Sequence, residues 1–331
     1  MPDTVLPTSA ACIVRHPSNP VLCDRDVPYP AGLVFNAGVC KYRGRYVMVF
    51  RNDVCDRTRM SHPHETNLGL AFSDDGVTWA VEPEPCYVLR SDEVQRAYDP
   101  RLTVIDDRVV MCFAVDTNHG VRGGIAVTED FRRFEVMSLT APDNRNMVVF
   151  PHKIGGRYAR LERPMPVYSR YGERYHRFDA WYSDSPDLRY WGNTNLVLGA
   201  ERIPGCNDKV GPGAPPILTE RGWLATYHAV DRDDDARGKN GWEARWTKRY
   251  WCGVMLLDRD EPWRVIGYSR DPLIFPEAPY ETEGFRGDVV FPGGMILEDD
   301  GAVKIYYGGA DTVECLATAH VDNLLALCTP A

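Results

Sequence analysis

The chain has 331 residues, a formal net charge of −9 at pH 7 and a hydrophobic fraction of 44%. The acidic balance argues against nucleic acid and against an anionic membrane surface as partners, because both are negatively charged. No apolar run reaches the roughly 18 residues that a transmembrane helix needs, and the N-terminal stretch lacks the features of a secretory signal. The ten cysteines are scattered without a Cys-x-x-Cys pair, so we expect no metal site, no disulfide scaffold and a reducing, cytoplasmic location.

Five hairpin-like segments follow one another along the chain. In each, a hydrophobic run is followed by a Gly- or Asp-rich turn and a second hydrophobic run. The segments are Val39–Arg51, Pro100–Val115, Met147–Pro164, Ala214–Val230 and Val289–Asp311. Internal repetition is typical of solenoids and propellers, and hairpin-linked strands favour radial closure because it leaves few exposed sheet edges. We therefore predict an all-β fold, a five-bladed β-propeller that occupies residues 1–331 as one domain with almost no helix.

Shorter motifs mark the outer parts of the repeats. Ser73–Trp79 predicts a tight hairpin turn with Asp-Gly at its tip. Thr128–Glu135 and Ser185–Trp191 occur at the same place in their own repeats. The charged segment Asp231–Thr247 interrupts the repetition and predicts a long loop over one face of the propeller.

The sharpest local motif is Tyr98-Asp99-Pro100-Arg101. Proline disfavours the helical region for the residue before it, so we expect Asp99 in an extended conformation at a strand end. Its side chain would then project into the central funnel and be available for chemistry. An ordinary turn residue is the alternative, because Asp-Pro is a frequent turn dipeptide.

Polar side chains recur at matching places in the other repeats. They are Asn36, Arg51, Arg145, Asn146, Arg163, Lys209, His228 and Asp311. Singly, each has an ordinary explanation, such as a rim salt bridge, a solvated lysine or a hydrogen-bonded strand histidine. Together they would surround one cavity, and so many positive groups are unfavourable there without a counter-charge. The pattern therefore predicts an anionic ligand, and Arg and Lys are well suited to phosphate.

Several longer segments carry a family resemblance. They are Phe35–Val39, Tyr98–Arg101, Arg145–Lys153, Glu162–Pro164, Lys209–Ile217, Tyr227-His228 and Val289–Asp311. In this order, over residues 18–320, they resemble glycoside hydrolase family 130. That family consists of five-bladed propellers, most of them mannoside phosphorylases and a minority mannosidases.

The resemblance implies a role for each candidate residue. Asp99 matches the single catalytic acid of the family. Phosphate would be bound by Arg145, Asn146, Arg163, Lys209 and His228. The mannose that is transferred, at subsite −1, would be contacted by Asn36, Arg51, Tyr98 and Asp311. Inorganic phosphate would be a co-substrate, and we expect no cofactor.

One acid beside a basic cluster suits phosphorolysis. An inverting hydrolase needs a second carboxylate to activate water, whereas phosphate is already an anionic nucleophile. We expect inverting phosphorolysis of β-mannosides to α-mannose 1-phosphate, together with the reverse synthesis from mannose 1-phosphate and mannose. A mannosyltransferase that uses a nucleotide-mannose donor and a non-catalytic carbohydrate-binding propeller are the alternatives.

Two departures from the family pattern bear on linkage. The first is the stretch Glu65–Asn67, and the second is Tyr98 before the acid, where the family commonly has Glu. Both are expected to line the sugar path, and Trp242 and Trp246 could either stack on a sugar ring or pack their loop onto the propeller. These features favour β-1,2-linked manno-oligosaccharides, with β-1,4-linked ones as the alternative. The family is usually oligomeric, which implies a homo-oligomer.

Overall fold

Five antiparallel sheets form the framework of the protein. The structure, a computed structural model, describes residues 7–59, 61–165, 177–233, 241–243 and 246–330. Blades I to III each contain four consecutive strands: β2 (Leu33–Tyr42), β3 (Arg45–Val54), β4 (Glu65–Ser73) and β5 (Ala80–Val81); β6 (Val94–Ile105), β7 (Arg108–Thr117), β8 (Gly120–Thr128) and β9 (Glu135–Leu139); and β10 (Asn144–Val149), β11 (Tyr158–Pro164), β12 (Ala180–Ser185) and β13 (Gly192–Leu198). The predicted five-bladed β-propeller is confirmed.

Blades IV and V are completed by the two ends of the chain. Blade IV contains β14 (Lys209–Pro212), β15 (Ile217–Thr219), β16 (Gly222–Arg232), β17 (Lys248–Leu257), β18 (Val265–Tyr268) and β22 (Thr329–Pro330). Blade V contains β19 (Val290–Leu297), β20 (Ala302–Gly309), β21 (Val313–His320) and β1 (Val14–Arg15). Two short helices, α1 (Pro279–Thr282) and α2 (Val321–Leu327), accompany three single 3-10 turns at Asp24–Asp26, Arg57–Arg59 and Ala200–Arg202. In the described part of the chain, no helix is long and apolar enough to cross a membrane.

The inner hairpins follow from their turn residues. Arg43 and Gly44 connect β2 to β3 with φ of 50° and 81°, and Asp106 and Asp107 connect β6 to β7 with φ of 52° and 55°. Positive φ at both central residues gives the turn whose twist matches the flanking strands, and Gly and Asp tolerate it well. The turns predicted for these two repeats are therefore confirmed.

The outer motifs share one hydrogen-bonding pattern. Asp75, Asp130 and Asp187 each accept backbone N–H groups from the residues two and three positions later, at 2.7–3.0 Å. These bonds lower the pKa of all three carboxyl groups. The hairpin predicted at Ser73–Trp79 is present, but it joins β4 to β5 through six residues and is wider than a tight turn.

Two predicted segments differ from the structure in their bounds. The hairpin predicted at Ala214–Val230 is present, since β15 pairs with β16, but β14 also pairs with β16 and extends the innermost edge of blade IV upstream of this segment. The predicted loop Asp231–Thr247 is shorter, since Asp231 and Arg232 extend β16 in register with Arg249 and Lys248. Of the remainder, residues 234–240 and 244–245 lie outside the described residues.

Apolar side chains between neighbouring blades hold the ring together. One buried cluster joins blades III and IV, where Phe150 meets Trp223 edge to face with ring centroids 5.1 Å apart. Another joins blades I and II and includes Val49, Leu70 and Met111. The blades therefore stack side by side, and their innermost strands meet at the centre of the ring.

Candidate functional site

The innermost strands of blades I, II and III share one irregularity. Their pairing with the next strand shifts between Phe35 and Gly38, between Tyr98 and Arg101, and between Arg145 and Val148. Each shift contains one polar residue in the left-handed region: Asn36, Asp99 and Asn146, with φ of 53°, 53° and 59°. A β-bulge bends the strand and redirects a side chain, and Asn and Asp tolerate positive φ best among residues other than Gly.

Asp99 therefore does not have the extended conformation that its position before Pro100 predicts. It lies within β6, at a bulge, and not at a strand end. The bulge overrides the steric preference that the proline imposes on Asp99. The same bulge recurs in the neighbouring blades, at the crowded centre of the ring. The motif predicted a residue that lines the central pocket, but its predicted backbone conformation was wrong.

The bulges surround a central pocket with about 430 Å³ of empty space. Seven of the ten predicted site residues line it: Asn36, Arg51, Asp99, Arg145, Asn146, Arg163 and Asp311. The other lining residues were not predicted as site residues; they are Trp246, Tyr250, Arg286, Val289 and Phe291. Residues from all five blades or their connections thus converge, as the propeller fold requires.

The Asp99 carboxylate is held by two neighbours from blade I. Its Oδ1 accepts from Asn36 Nδ2 at 3.0 Å and from Arg51 Nη1 at 3.2 Å. Arg51 is fixed in turn by two bonds to Asp53, at 2.6 and 3.0 Å. Burial raises the pKa of the Asp99 carboxyl, but Arg51, Arg101 and Arg145 outweigh burial, and the net pKa is lowered. These positive charges therefore favour the ionised form of the Asp99 carboxyl.

Arg145 and Arg163 form the basic side of the pocket. They are directly opposite each other in the β10–β11 pair, an arrangement that is unfavourable for like charges. Arg163 is only 1% exposed, and its Nε and Nη2 have no hydrogen-bond partner among the described residues. Burial and the charge of Arg145 lower the pKa of Arg163 to about 10. A buried guanidinium without a carboxylate is costly, so this pair favours an anion.

His228 and Lys209 lie behind the pocket lining and contact the same arginine region. His228 Nε2 is 2.6 Å from Arg163 Nη1, and its Nδ1 is 3.1 Å from the carbonyl oxygen of Pro212. Because the guanidinium can only donate, Nε2 accepts and Nδ1 carries the proton. Burial and the nearby charges of Arg163 and Lys209 lower the pKa of His228 well below its ordinary value, which keeps the ring neutral.

Lys209 has a depressed pKa for the same reason. Burial and the charge of Arg163 lower the pKa of Lys209 to about 8, although Asp208 lies 3.3 Å away.

The close packing in this region depends on Gly211, where an added Cβ would lie 2.6 Å from His228 Cε1 and 2.7 Å from Arg163 Cδ. The positive charges of Arg163 and Lys209 therefore lie close together, and the negative charge of Asp208 offsets them only in part.

Tyr98 does not line the pocket. It is 2% exposed, donates its hydroxyl to Asp116 at 2.7 Å and accepts from Arg145 Nη1 at 3.2 Å. The structure thus places Tyr98 beneath Arg145, where it orients the guanidinium. The expected sugar contact of Tyr98 is not supported by this position.

The stretch Glu65–Asn67 also lies away from the pocket lining. Thr66 donates to Asp53 at 2.7 Å, and Asn67 accepts from Asn52 at 3.1 Å. Thr66 therefore supports the ion pair of Asp53 with Arg51 from behind. Its expected place along the sugar path gains no support from this position.

Asp311 and Arg286 form the wall of the pocket that blade V and its preceding connection supply. Arg286 Nη1 donates to Asp311 Oδ2 at 3.1 Å. Burial raises the pKa of the Asp311 carboxyl, against the lowering effects of Arg286 and Arg51. Asp311 also has a positive φ, 49°, in the turn between β20 and β21.

The two tryptophans of the irregular segment differ in position. Trp242 packs edge to face on Phe285 at 5.7 Å and does not line the pocket. Trp246 does line it, but one face is stacked on Tyr250 at 5.7 Å and its Nε1 donates to the carbonyl of Gly287 at 2.9 Å. The contacts of Trp242 show that it packs its segment onto the propeller. Trp246 also packs against the propeller, but part of its side chain lines the pocket.

Arg101, which follows the acid motif, braces the centre of the ring. It is 3% exposed and donates to the carbonyl oxygens of Asn36, Gly213 and Pro292, at 3.0–3.2 Å. Those carbonyls belong to blades I, IV and V, so one side chain from blade II links four blades.

Among the described residues, no group of three or more His, Cys, Asp or Glu is placed to hold a metal ion.

Comparison with known proteins gives one consistent result. The profile of glycoside hydrolase family 130, described as beta-1,4-mannooligosaccharide phosphorylase, matches residues 13–330. A beta-1,4-mannooligosaccharide phosphorylase of Ruminococcus albus is 33% identical over 328 residues, which cover 95% of this chain and 90% of that protein. A 1,2-beta-oligomannan phosphorylase of Thermoanaerobacter sp. (strain X514) is 29% identical over 319 residues, covering 94% of this chain and 98% of the relative.

A solved structure agrees with these sequence matches. The beta-1,2-mannobiose phosphorylase of Listeria innocua, in complex with beta-1,2-mannobiose, superposes with a TM-score of 0.78 at 26% identity, and the match covers 96% of this chain and 99% of the other. The family match spans nearly the whole chain and includes every residue of the pocket described above. This chain therefore belongs to glycoside hydrolase family 130, as its sequence motifs indicated.

Proposed function

We propose that this protein catalyses the reversible, inverting phosphorolysis of β-mannosides. The observation that carries the proposal is the pair Arg145 and Arg163, two facing arginines in a pocket that also holds Asp99. A phosphate dianion would supply the missing counter-charge and accept from the unpartnered Nε and Nη2 groups of Arg163. The family membership and the phosphorylase activity of the relatives support this choice of anion.

The proposed reaction uses one acid and no activated water. Phosphate attacks the anomeric carbon and forms the new C–O bond as the glycosidic C–O bond breaks on the opposite face. Asp99 supplies a proton to the departing oxygen, relayed through the 3-hydroxyl of the transferred mannose. The product is α-mannose 1-phosphate together with the shortened acceptor.

Phosphate would also prepare Asp99 for its role. The carboxyl group must be protonated before it can act as an acid, yet the surrounding arginines lower its pKa. Phosphate bound at Arg145 and Arg163 offsets that positive charge and raises the pKa of Asp99. Binding of the nucleophile and protonation of the acid are thereby coupled.

The proposed substrates are β-1,2-linked manno-oligosaccharides. The fold similarity to the Listeria β-1,2-mannobiose phosphorylase supports this linkage. Tyr98 and Glu65–Asn67 give it no support, because they lie outside the pocket lining. The β-1,4-linked series is the alternative, since the Ruminococcus relative acts on that class.

The state of the cysteines bears on the location of the protein. All ten cysteines are free thiols. Burial raises the pKa of Cys40 and Cys112 to about 12, which makes them unreactive core residues. This use of cysteine supports a reducing, cytoplasmic location. We also propose a homo-oligomer and no cofactor other than phosphate as co-substrate.

The test is an assay with defined disaccharides. The purified protein is incubated with β-1,2-mannobiose or β-1,4-mannobiose, with and without phosphate, and mannose 1-phosphate is measured. Phosphate-dependent product from the β-1,2 substrate is the expected result, and Asp99→Asn serves as the inactive control. Release of free mannose without phosphate would identify a hydrolase, and product from β-1,4-mannobiose alone would reverse the linkage.

A further inference from the structure

Arg286 is a pocket residue to which neither the motifs nor the family resemblance assigns a role. It lies in the connection before β19, and its side chain is 33% exposed. Its Nε donates to Glu243 and its Nη1 donates to Asp311. Two carboxylates on different segments therefore hold one guanidinium at the pocket.

Aromatic contacts fix the plane of this guanidinium. Arg286 lies over the ring of Trp246, 4.9 Å from its centroid, and Trp246 is stacked on Tyr250 at 5.7 Å with an interplanar angle of 15°. The backbone N–H of Glu243 donates to the carbonyl of Phe285 at 3.1 Å. The short segment 241–243 and Trp246 thus position Arg286, and Arg286 in turn orients Asp311.

The charge environment of Arg286 is the reverse of that on the basic side. Arg163 is buried beside Arg145, and no carboxylate in the described part of the chain is bonded to it, whereas Arg286 is bonded to two. A phosphate dianion would be repelled by Glu243 and Asp311, but a neutral sugar hydroxyl can donate to these carboxylates and accept from an arginine. Within the described residues, nothing accepts from Nη2 of Arg286, which leaves this group available as a donor.

The arrangement of the blades places Arg286 on the acceptor side. Arg286 is bonded to Asp311 of blade V, and the adjacent Phe285 packs with Leu33 and Phe35 of blade I. In a ring of five, the edge between blades V and I faces blade III, which carries Arg145 and Arg163. An inverting displacement puts the nucleophile and the leaving group on opposite faces of the anomeric carbon. With phosphate at blade III, the leaving sugar points toward Arg286 and Asp311.

We propose that Arg286 is a specificity-determining residue that binds hydroxyl groups of the acceptor sugar, with Glu243 and Trp246 as positioning residues. This inference rests on the proposed phosphorylase function and names the part of the site that selects the acceptor. The acceptor is a neutral hexose or oligosaccharide end, and its hydroxyls accept from Arg286 Nη2, while Asp311, which the family resemblance assigns to the transferred mannose, holds Arg286 through Nη1.

The test is two-substrate kinetics in the synthetic direction. Initial rates are measured with α-mannose 1-phosphate as donor and mannose as acceptor, for wild type, Arg286→Ala, Arg286→Lys and Glu243→Gln. Arg249→Ala is the matched control, because Arg249 lies on β17 and pairs with Asp231 at 3.5 Å outside the pocket. Thermal unfolding of each variant reports whether the fold is retained.

The expected result is a selective loss of acceptor binding. Arg286→Ala raises the KM for mannose about tenfold or more while the KM for mannose 1-phosphate changes less than about threefold. Arg286→Lys, which keeps the charge but loses the planar fork, raises the acceptor KM by a smaller factor. Glu243→Gln shifts the acceptor KM in the same direction, and Arg249→Ala leaves both constants unchanged.

Other outcomes overturn the inference. An acceptor KM within twofold of wild type in a folded Arg286→Ala protein removes the acceptor role. An equal or larger rise in the KM for mannose 1-phosphate assigns Arg286 to the phosphate side instead. If wild type transfers no mannosyl group to any acceptor, the proposed function itself fails, and this is seen before any variant is compared.

Discussion

The substitution Arg163→Met tests two proposed effects of the buried Arg163 charge. The charge lowers the stability of the folded protein, and it binds phosphate. Burial and Arg145 lower the pKa of Arg163 from 12.5 to about 10, which corresponds to about 3 kcal/mol at about 1.4 kcal/mol per pKa unit. Because a lowered pKa of a base disfavours its charged form in the folded state, this penalty is present at pH 7 and is relieved only above about pH 10. Arg163→Met removes the charge but also the bond to His228, and the loss of this charge-assisted bond to a buried acceptor costs about 2 kcal/mol.

The phosphate-free variant should therefore be more stable than wild type by about 1 kcal/mol. For a chain of 331 residues, this is a rise in Tm of about 1–2 °C. Phosphate at about 100 times its Kd should raise the Tm of wild type by about 4 °C and leave that of Arg163→Met unchanged. The assay is thermal unfolding in phosphate-free buffer, with potassium phosphate titrated at constant ionic strength.

Arg160→Met is the matched control. Arg160 is on the same strand and is 5% exposed, but it pairs with Glu162 at 2.7 Å. Its removal leaves the buried Glu162 carboxylate without its ion-pair partner, bonded only by Asn144 Nδ2 at 2.6 Å among the described residues, and should lower stability by about 3 kcal/mol, with the response to phosphate retained. A destabilised Arg163→Met protein, together with a wild type that does not respond to phosphate, would refute the reasoning.

Three further predictions concern the same pocket. Asp99→Asn should keep the fold and lower kcat by about 10²–10⁴-fold in the phosphorolysis assay, since it removes the only proposed acid; near-normal turnover would require another one. Phosphate binding to wild type should take up more protons than binding to Asp99→Asn, because the bound anion raises the lowered pKa of Asp99; calorimetry in two buffers of different ionisation enthalpy measures the difference, and equal uptake would contradict the coupling. Gly211→Ala should raise the KM for phosphate with little change in the KM for the acceptor, because the new Cβ crowds Arg163 and His228 at 2.6–2.7 Å; an unchanged phosphate KM would show that this packing is unimportant.

The repeat pattern predicted the fold because each blade contains a local hairpin. Turn residues such as Arg43-Gly44 and the alternating runs beside them are visible within about fifteen residues. The closing strands were not predicted, since β1 is only two residues long and pairs with β21 about three hundred residues away. Nothing local distinguishes such a strand from any other extended segment.

The candidate site was predicted in composition more than in geometry. Seven predicted residues line the pocket because the family motifs fall on the innermost strands, on the second strands of blades I and III and in the turn after β20. The positive φ of Asp99 was missed, since the preference imposed by Pro100 acts locally whereas the bulge is set by packing at the centre of the ring. Arg286 and Tyr250 were also missed: they come from irregular connections and a strand start, where no periodic pattern marks them.

The closure of the ring by distant strands also determines when the site is completed during synthesis. Blades I to III consist of consecutive strands, so the residues that carry Asp99, Arg145 and Arg163 can fold as soon as they emerge. Blade V needs β21 and its pairing with Val14–Arg15, a contact between the first and last parts of the chain that is slow to form because of the long loop it closes. Asp311 and Arg286 therefore reach their places last. A nascent chain would possess the pocket residues of blades I to III before those of blade V and its preceding connection, and catalysis would begin only when the ring is closed.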